Sequence, residues 1–281
     1  MSALPVSPRG GDPARPITIA IVAMGGQGGG VLVDWIVDLA ENNGYLAQST
    51  SVPGVAQRTG ATIYYVELLA AAHAEARGAQ PVFALMPVPG EVDIVIAAEL
   101  MEAGRAIQRG LVSRERSTLI ASTHRDFATL EKMVPGSGIA DTAAVLEAGA
   151  RYARRFLHDD MQQLARREGS VISAALFGAL AGSGELPFPD DAFRETIRRA
   201  GVGAEPSLRA WQAGCNAIRE PIRAAVDAPS IEGEPPPLPA RAASPEVEAL
   251  RLRIQNEFPP VAHPMLGAGL QRVLDYQDLD Y

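Results

Sequence analysis

At 281 residues, 47% of them hydrophobic, the chain has the size and apolar content of one large globular domain, or of one domain with appendages. A formal net charge of −8 argues against a general nucleic-acid binder, since neutralising phosphates needs a basic surface. The single cysteine, Cys215, excludes an internal disulfide and a cluster held by this chain's own cysteines.

Residues 1–16 are rich in proline and glycine and lack the apolar core of a signal peptide, so they read as a flexible leader. From Ile17 an apolar run, ITIAIVA, leads into Met24 and a loop, Gly25-Gly26-Gln27-Gly28-Gly29-Gly30, after which apolar residues recur at Val31, Leu32, Trp35, Ile36 and Leu39. This is strand, glycine loop and helix, the opening unit of a nucleotide- or phosphate-binding α/β domain. Asn42-Asn43-Gly44 stops the helix. Strands are expected at Tyr45–Val52, Ala61–Leu69, Pro81–Met86, Val92–Ala97 and Ser117–Ser122, with a turn or linker at 70–80 and a helix at Glu99–Arg109. Strands alternating with helices imply a Rossmann-like, mostly parallel sheet with helices on both faces.

After about residue 142 the pattern turns helical, with helices expected at 142–153, 160–167, 170–181, 190–200 and 207–226. The longest apolar run, Val171–Ala181, is too short to cross a bilayer, so a cytoplasmic chain without a membrane partner is expected. The α/β domain is taken as 17–225. Residues 226–243, with Pro235-Pro236-Pro237-Leu238-Pro239, read as a proline-rich linker, and 244–281 as a helical C-terminal segment. That segment has no stop signal. A natural chain that continues past Tyr281 and a truncated form of a longer one are both open readings.

In a sheet of this kind ligands sit beyond the C-terminal strand ends. Three loops are expected there: Gly25–Gly30, Pro53–Gly60 and Ser122-Thr123-His124. Glycines leave room for close approach, and the helix behind the first loop points free N–H groups and its positive dipole end outward, which suits an anion. Close packing of strand on helix is the alternative reason for the glycines. Two familiar templates fail. No lysine follows the loop, as a P-loop needs, and position 31 is Val where Gly26 and Gly28 would require glycine for G-x-G-x-x-G. No acid lies between Asn42 and Val66 to hold a ribose. Arg58, beside Gln57 and Gly60, can grip a carboxylate or phosphate bidentately, or make an interface ion pair. The hydroxyls of Ser122 and Thr123 can bond a ligand or cap the next helix. His124 can serve as an acid or base or be structural at its strand end; His73, His158 and His263 show no metal-ligand spacing, and no metal site is expected.

The glycine motif followed by Gln57-Arg58-Thr59-Gly60 resembles the gamma-type domain of the 2-oxoacid:ferredoxin oxidoreductases. The longer stretches SVPGVAQRTGATIYYVEL, ALMPVPGEVDIVIAAELMEAGRA, TLIASTHR and GSVISAALFGALAGSG are similar to the family of indolepyruvate (aryl-pyruvate) ferredoxin oxidoreductase beta subunits in their long form. The resemblance covers residues 17–225 best. Two positions depart from it: Pro53-Gly54 stands where many relatives have His-Gly, and Thr59-Gly60 where many have Gly-Gly. The resemblance implies oxidative decarboxylation of an aryl pyruvate, transfer of the acyl group to coenzyme A, and passage of electrons to ferredoxin. It also implies that thiamine diphosphate, magnesium and the [4Fe-4S] clusters belong to a partner alpha subunit, with this chain inactive alone. Gly25, Gly26, Gln27, Gly28, Gln57, Arg58, Gly60, Ser122 and Thr123 are then candidates for an anionic ligand such as coenzyme A. A non-redox module binding a nucleotide or acyl carrier, and a purely structural subunit, are the alternatives.

Overall fold

The computed structural model describes residues 15–52, 62–78, 80–127, 141–220 and 245–276. The chain divides near residue 222 into two compact units. The first is built on a six-stranded sheet: β1 (Ile17–Ala23), β2 (Tyr45–Val52), β3 (Thr62–Ala70), β4 (Ile94–Ala97), β5 (Thr118–Ser122) and β6 (Arg155–Asp159). Its spatial order is β2-β3-β1-β4-β5-β6. β1, β4, β5 and β6 pair in parallel, with Ile19 opposite Ile94, Ile96 opposite Ile120, and Ser122 opposite Asp159. β3 is antiparallel to both β1 and β2, with Val66 opposite Ile19 on one side and Ser49 on the other. Five strands therefore run one way and β3 alone runs back. A parallel neighbour needs a crossover of about a dozen residues or more, and only residues 53–61 separate β2 from β3.

Among the described residues, the helices of this unit are α1 (Gly29–Glu41), α2 (Ala71–Arg77), α3 (Leu100–Gln108), α4 (Thr142–Tyr152), α5 (Met161–Arg167), α6 (Ile172–Ser183), α7 (Asp190–Ala200) and α8 (Ala204–Arg219). One face of the sheet presents Ile19, Ile21, Val66, Leu68, Ile94, Ile96 and Ile120 to α1 and α5–α8, and this is the larger core. The other face presents Ala20, Val22, Val95, Ala97, Leu119 and Ala121, small enough for Ala103 and Ala106 of α3 to pack closely. α6 is buried all round, as its uninterrupted apolar sequence requires. It crosses α8 at glycines: a Cβ on Gly178 would fall 1.9 Å from the Trp211 carbonyl oxygen, and one on Gly214 would fall 2.1 Å from that of Ala175. In the second unit, α9 (Pro245–Glu257) and α10 (His263–Tyr276) are joined by a short 3-10 turn, Pro260–Ala262. Arg251 of α9 pairs with Glu248 one turn earlier.

Four expectations change. Pro81–Met86 is not a strand. It lies across the sheet, where the Ala84 N–H donates to the Glu67 carboxylate and the Leu85 carbonyl accepts from the Thr50 hydroxyl. Val82, Leu85 and Met86 face outward, Val82 being 98% exposed. Residues 70–80 hold α2 rather than an unstructured turn. β6 interrupts the helical stretch; its five residues carry too few apolar positions to show a period. The expected helix 207–226 begins three residues earlier, with Glu205 and Pro206 in its first turn, and its regular part ends at Arg219. No helix among the described residues is long and apolar enough to cross a membrane.

Candidate functional site at the C-terminal sheet edge

The five co-directional strands bring Ala23, Val52, Ala97, Ser122 and Asp159 toward one edge. At Ala23 the chain makes a tight turn: the Gln27 N–H donates to the Met24 carbonyl at 3.1 Å, and the Met24 N–H donates to the Gln27 side-chain carbonyl at 2.9 Å. Gly26 and Gly28 take φ of +89° and +68°, values that disfavour any side chain. Gly28 is the N-cap of α1 and, being glycine, offers no side chain to cap that helix. Gly25 and Gly26 are exposed, so the open first turn of α1 sits behind a bare backbone loop. Glycine at 29 serves packing, since a Cβ there would fall 2.6 Å from the Tyr64 ring. Beside Gly28, the fully buried Ser173 hydroxyl has no hydrogen-bond partner among the described residues. A Cβ on Gly28 would lie 3.1 Å from it.

The segment after β5 closes over the same edge. The Ser122 oxygen accepts the Met161 N–H at 3.1 Å and lies 2.7 Å from His124 Nδ1. The Thr123 N–H donates to the Asp159 carbonyl. His124 Nε2 stands 3.7 Å from Asp126 Oδ2, and the same oxygen accepts the Gln27 amide N–H at 2.9 Å. One polar line thus joins α5, β5 and the glycine loop. Burial holds His124 below the usual imidazole value, against the opposing pull of Asp126 and Asp160. Although Ser122, His124 and Asp126 stand in a row, this is not a catalytic triad: Ser122 is wholly buried and its oxygen serves α5 and the imidazole.

Glu99, two residues past β4, anchors the arrangement. It caps α3, accepting from the Met101 and Glu102 N–H groups, while its other oxygen accepts from Arg125 Nε at 3.0 Å and from the Asp126 N–H. Burial outweighs these donors and pushes its carboxyl up to about 7.

Of the candidate residues, the structure gathers Gly25, Gly26, Gln27, Gly28, Ser122 and Thr123 at one edge. Gln27 is buried with both ends of its amide engaged, and Ser122 is turned inward. Gln57, Arg58 and Gly60 lie outside the described residues. Glu99, Arg125 and Asp126 escaped the sequence reading. The available signal was an acid directly after the buried run Ile94–Ala98, where a helix must be capped. No group of three or more His, Cys, Asp or Glu that could hold a metal occurs among the described residues. Cys215 is buried in α8, and burial pushes its thiol up.

Residues 18–219 match the family model of the pyruvate ferredoxin/flavodoxin oxidoreductases. The chain is 24% identical over 221 residues to the indolepyruvate oxidoreductase subunit IorB of Thermococcus kodakarensis, covering 73% of this chain and 98% of that protein. Among solved structures, the pyruvate oxidoreductase subunit PORC of Thermotoga maritima superposes with a TM-score of 0.50 at 18% identity, over 72% of this chain and 96% of that one. The 2-oxoglutarate:ferredoxin oxidoreductase of Magnetococcus marinus, solved with 2-oxoglutarate, coenzyme A and succinyl-CoA bound, also has a TM-score of 0.50, at 13% identity. That likeness covers 75% of this chain and 32% of the Magnetococcus chain. With some seven-tenths of its length inside the family's model, the chain belongs to the pyruvate ferredoxin/flavodoxin oxidoreductase family.

Proposed function

We propose that this chain is the beta-type subunit of an indolepyruvate (aryl-pyruvate) ferredoxin oxidoreductase and that it holds an anionic group of coenzyme A at the glycine loop. In the reaction the 2-oxo acid loses carbon dioxide, its acyl group joins the thiol of coenzyme A, and two electrons go to ferredoxin. The observation that carries the anion reading is the loop itself: exposed Gly25 and Gly26, with the N-terminus of α1 behind them and glycine as its N-cap. Backbone N–H groups and the helix dipole favour negative charge there. The Ser173 hydroxyl beside Gly28, without a hydrogen-bond partner among the described residues, adds a polar group. The subunit assignment is supported by the family match and by the curated relative.

The residues do not fit an iron–sulfur cluster, because one buried cysteine cannot ligate it. They offer no acidic set for a thiamine-bound magnesium among the described residues. These groups are accordingly assigned to a partner alpha subunit, and the chain alone is assigned no turnover. Its own work is to bind and orient: the loop fixes the anion, and the Ser122–Asp126 segment walls the same edge. Arg58, read from sequence alone, is proposed to add a guanidinium to that anion site.

The test is reconstitution. Co-expressed with a thiamine- and cluster-bearing partner, the chain is expected to give aryl-pyruvate oxidation dependent on coenzyme A and ferredoxin. In that complex Arg58→Ala should raise the KM for coenzyme A by about 10- to 100-fold, the loss of a hydrogen bond to a charged group. Arg58→Lys should recover part of it, since an ammonium lacks the planar fork. Normal assembly with an unchanged KM would remove Arg58 from the anion site. Absence of activity on every aryl pyruvate would sink the functional reading.

A further inference from the structure

We propose that Asp126 is the positioning residue of the glycine loop: it fixes Gln27, and through Gln27 the turn that faces the anionic ligand. The inference rests on the reading above for the identity of that ligand, and on geometry for the rest. Gln27 has two jobs in two directions. Its carbonyl accepts the Met24 N–H and so closes the turn, while its amide N–H donates to Asp126 across the edge. Rotating the amide end would exchange donor for acceptor and break both bonds, so the contact with Asp126 sets which way the side chain lies. Gln27 is 7% exposed, and a misplaced amide there would bury an unpaired group. Because Gly26 and Gly28 hold no rotamer of their own and sample φ of either sign, the loop's shape depends on this side chain more than on its neighbours.

Asp126 is in turn held from behind. Its N–H donates to the buried Glu99, and its carboxylate faces His124, which is fixed to Ser122. The carboxylate sits on the edge that is to receive an anion, and its side chain is 60% exposed. By charge alone it would repel such a ligand, so a structural need has to account for it.

This gives the two roles opposite signs. If Asp126 acts only through its charge, removing it should tighten coenzyme A. If it positions the loop, Asp126→Ala should raise the KM for coenzyme A by about fivefold with kcat at saturation changed by less than about twofold, as expected when one exposed charge-assisted hydrogen bond is lost. Asp126→Asn keeps an acceptor for the Gln27 amide and should return the KM to within about twofold of the parent. Amide hydrogen exchange of residues 24–31, measured in the assembled complex without substrate, should quicken in Asp126→Ala and not in Asp126→Asn. An unchanged or lowered KM in Asp126→Ala, equal effects of the two variants, or unchanged exchange would each overturn the proposal. A parent complex with no turnover dependent on coenzyme A would overturn the functional reading instead, and the exchange arm tells the two failures apart.

Discussion

Glu99 is fully buried and accepts four hydrogen bonds, and burial still pushes its carboxyl up to about 7. Its folded value lies above the roughly 4.3 of an unfolded glutamate, so between the two the folded chain holds a proton that the unfolded chain has released. Its contribution to stability is therefore greatest below about 4.3 and is lost as pH rises through about 7. Glu99→Gln cannot titrate. The stability difference, parent minus variant, measured by urea unfolding, is expected to fall from pH 5 to 7.5 and to level off above 8; a constant difference would contradict the assignment. The glycine loop was legible in the sequence because glycine reports directly on backbone shape. Glu99 and Asp126 were not, because their meaning lies in partners up to 99 residues away. For Gln57, Arg58 and Gly60, sequence remains the only basis.

At the scale of elements, the crossing of α6 and α8 shows that one substitution can have two signs. Gly178→Ala and Gly214→Ala would each drive a methyl into the backbone of the facing helix, at 1.9 and 2.1 Å. Overpacking of this severity should destabilise by about 3 kcal/mol or more. Gly104→Ala, inside α3, meets nothing closer than Val145 at 3.4 Å and should stabilise by up to about 1 kcal/mol through helix propensity alone. Thermal unfolding of the three variants checks the contrast. Sequence marked α6 as a helix and as the chain's longest apolar run, since apolarity is a local property. It could not show the crossing, because glycine inside a helix reads only as a cost. Pro81–Met86 failed for the converse reason: an apolar run of strand length needs a free edge to pair with, and this one lies over a sheet face.

For the molecule as a whole, the mostly parallel architecture followed from alternation of strand and helix, whereas the reversal of β3, which the short span before it requires, was not read from the sequence. The two edges of the sheet have separate duties. Away from the glycine loop, Glu185 gathers the Thr118 hydroxyl, Arg154 and Arg155, and Asp93 gathers Thr18 and Arg116. The assignment of covers to the two faces has a consequence in time. Ile19 and Ile21 of β1 share a core with α6 and α8, which begin more than 150 residues later. At about 5–20 residues per second, the face that becomes the main core, covered early by α1 alone, waits on the order of ten seconds on the ribosome for the rest of its cover. A chain ended before α6 should bind chaperone or aggregate and be degraded rapidly by protease. One ended after Arg219 should unfold as a single cooperative transition, and pulse proteolysis of stalled chains distinguishes the two. Birth order, rather than final stability, then makes the nascent chain depend on protection until its last sheet-covering helix emerges.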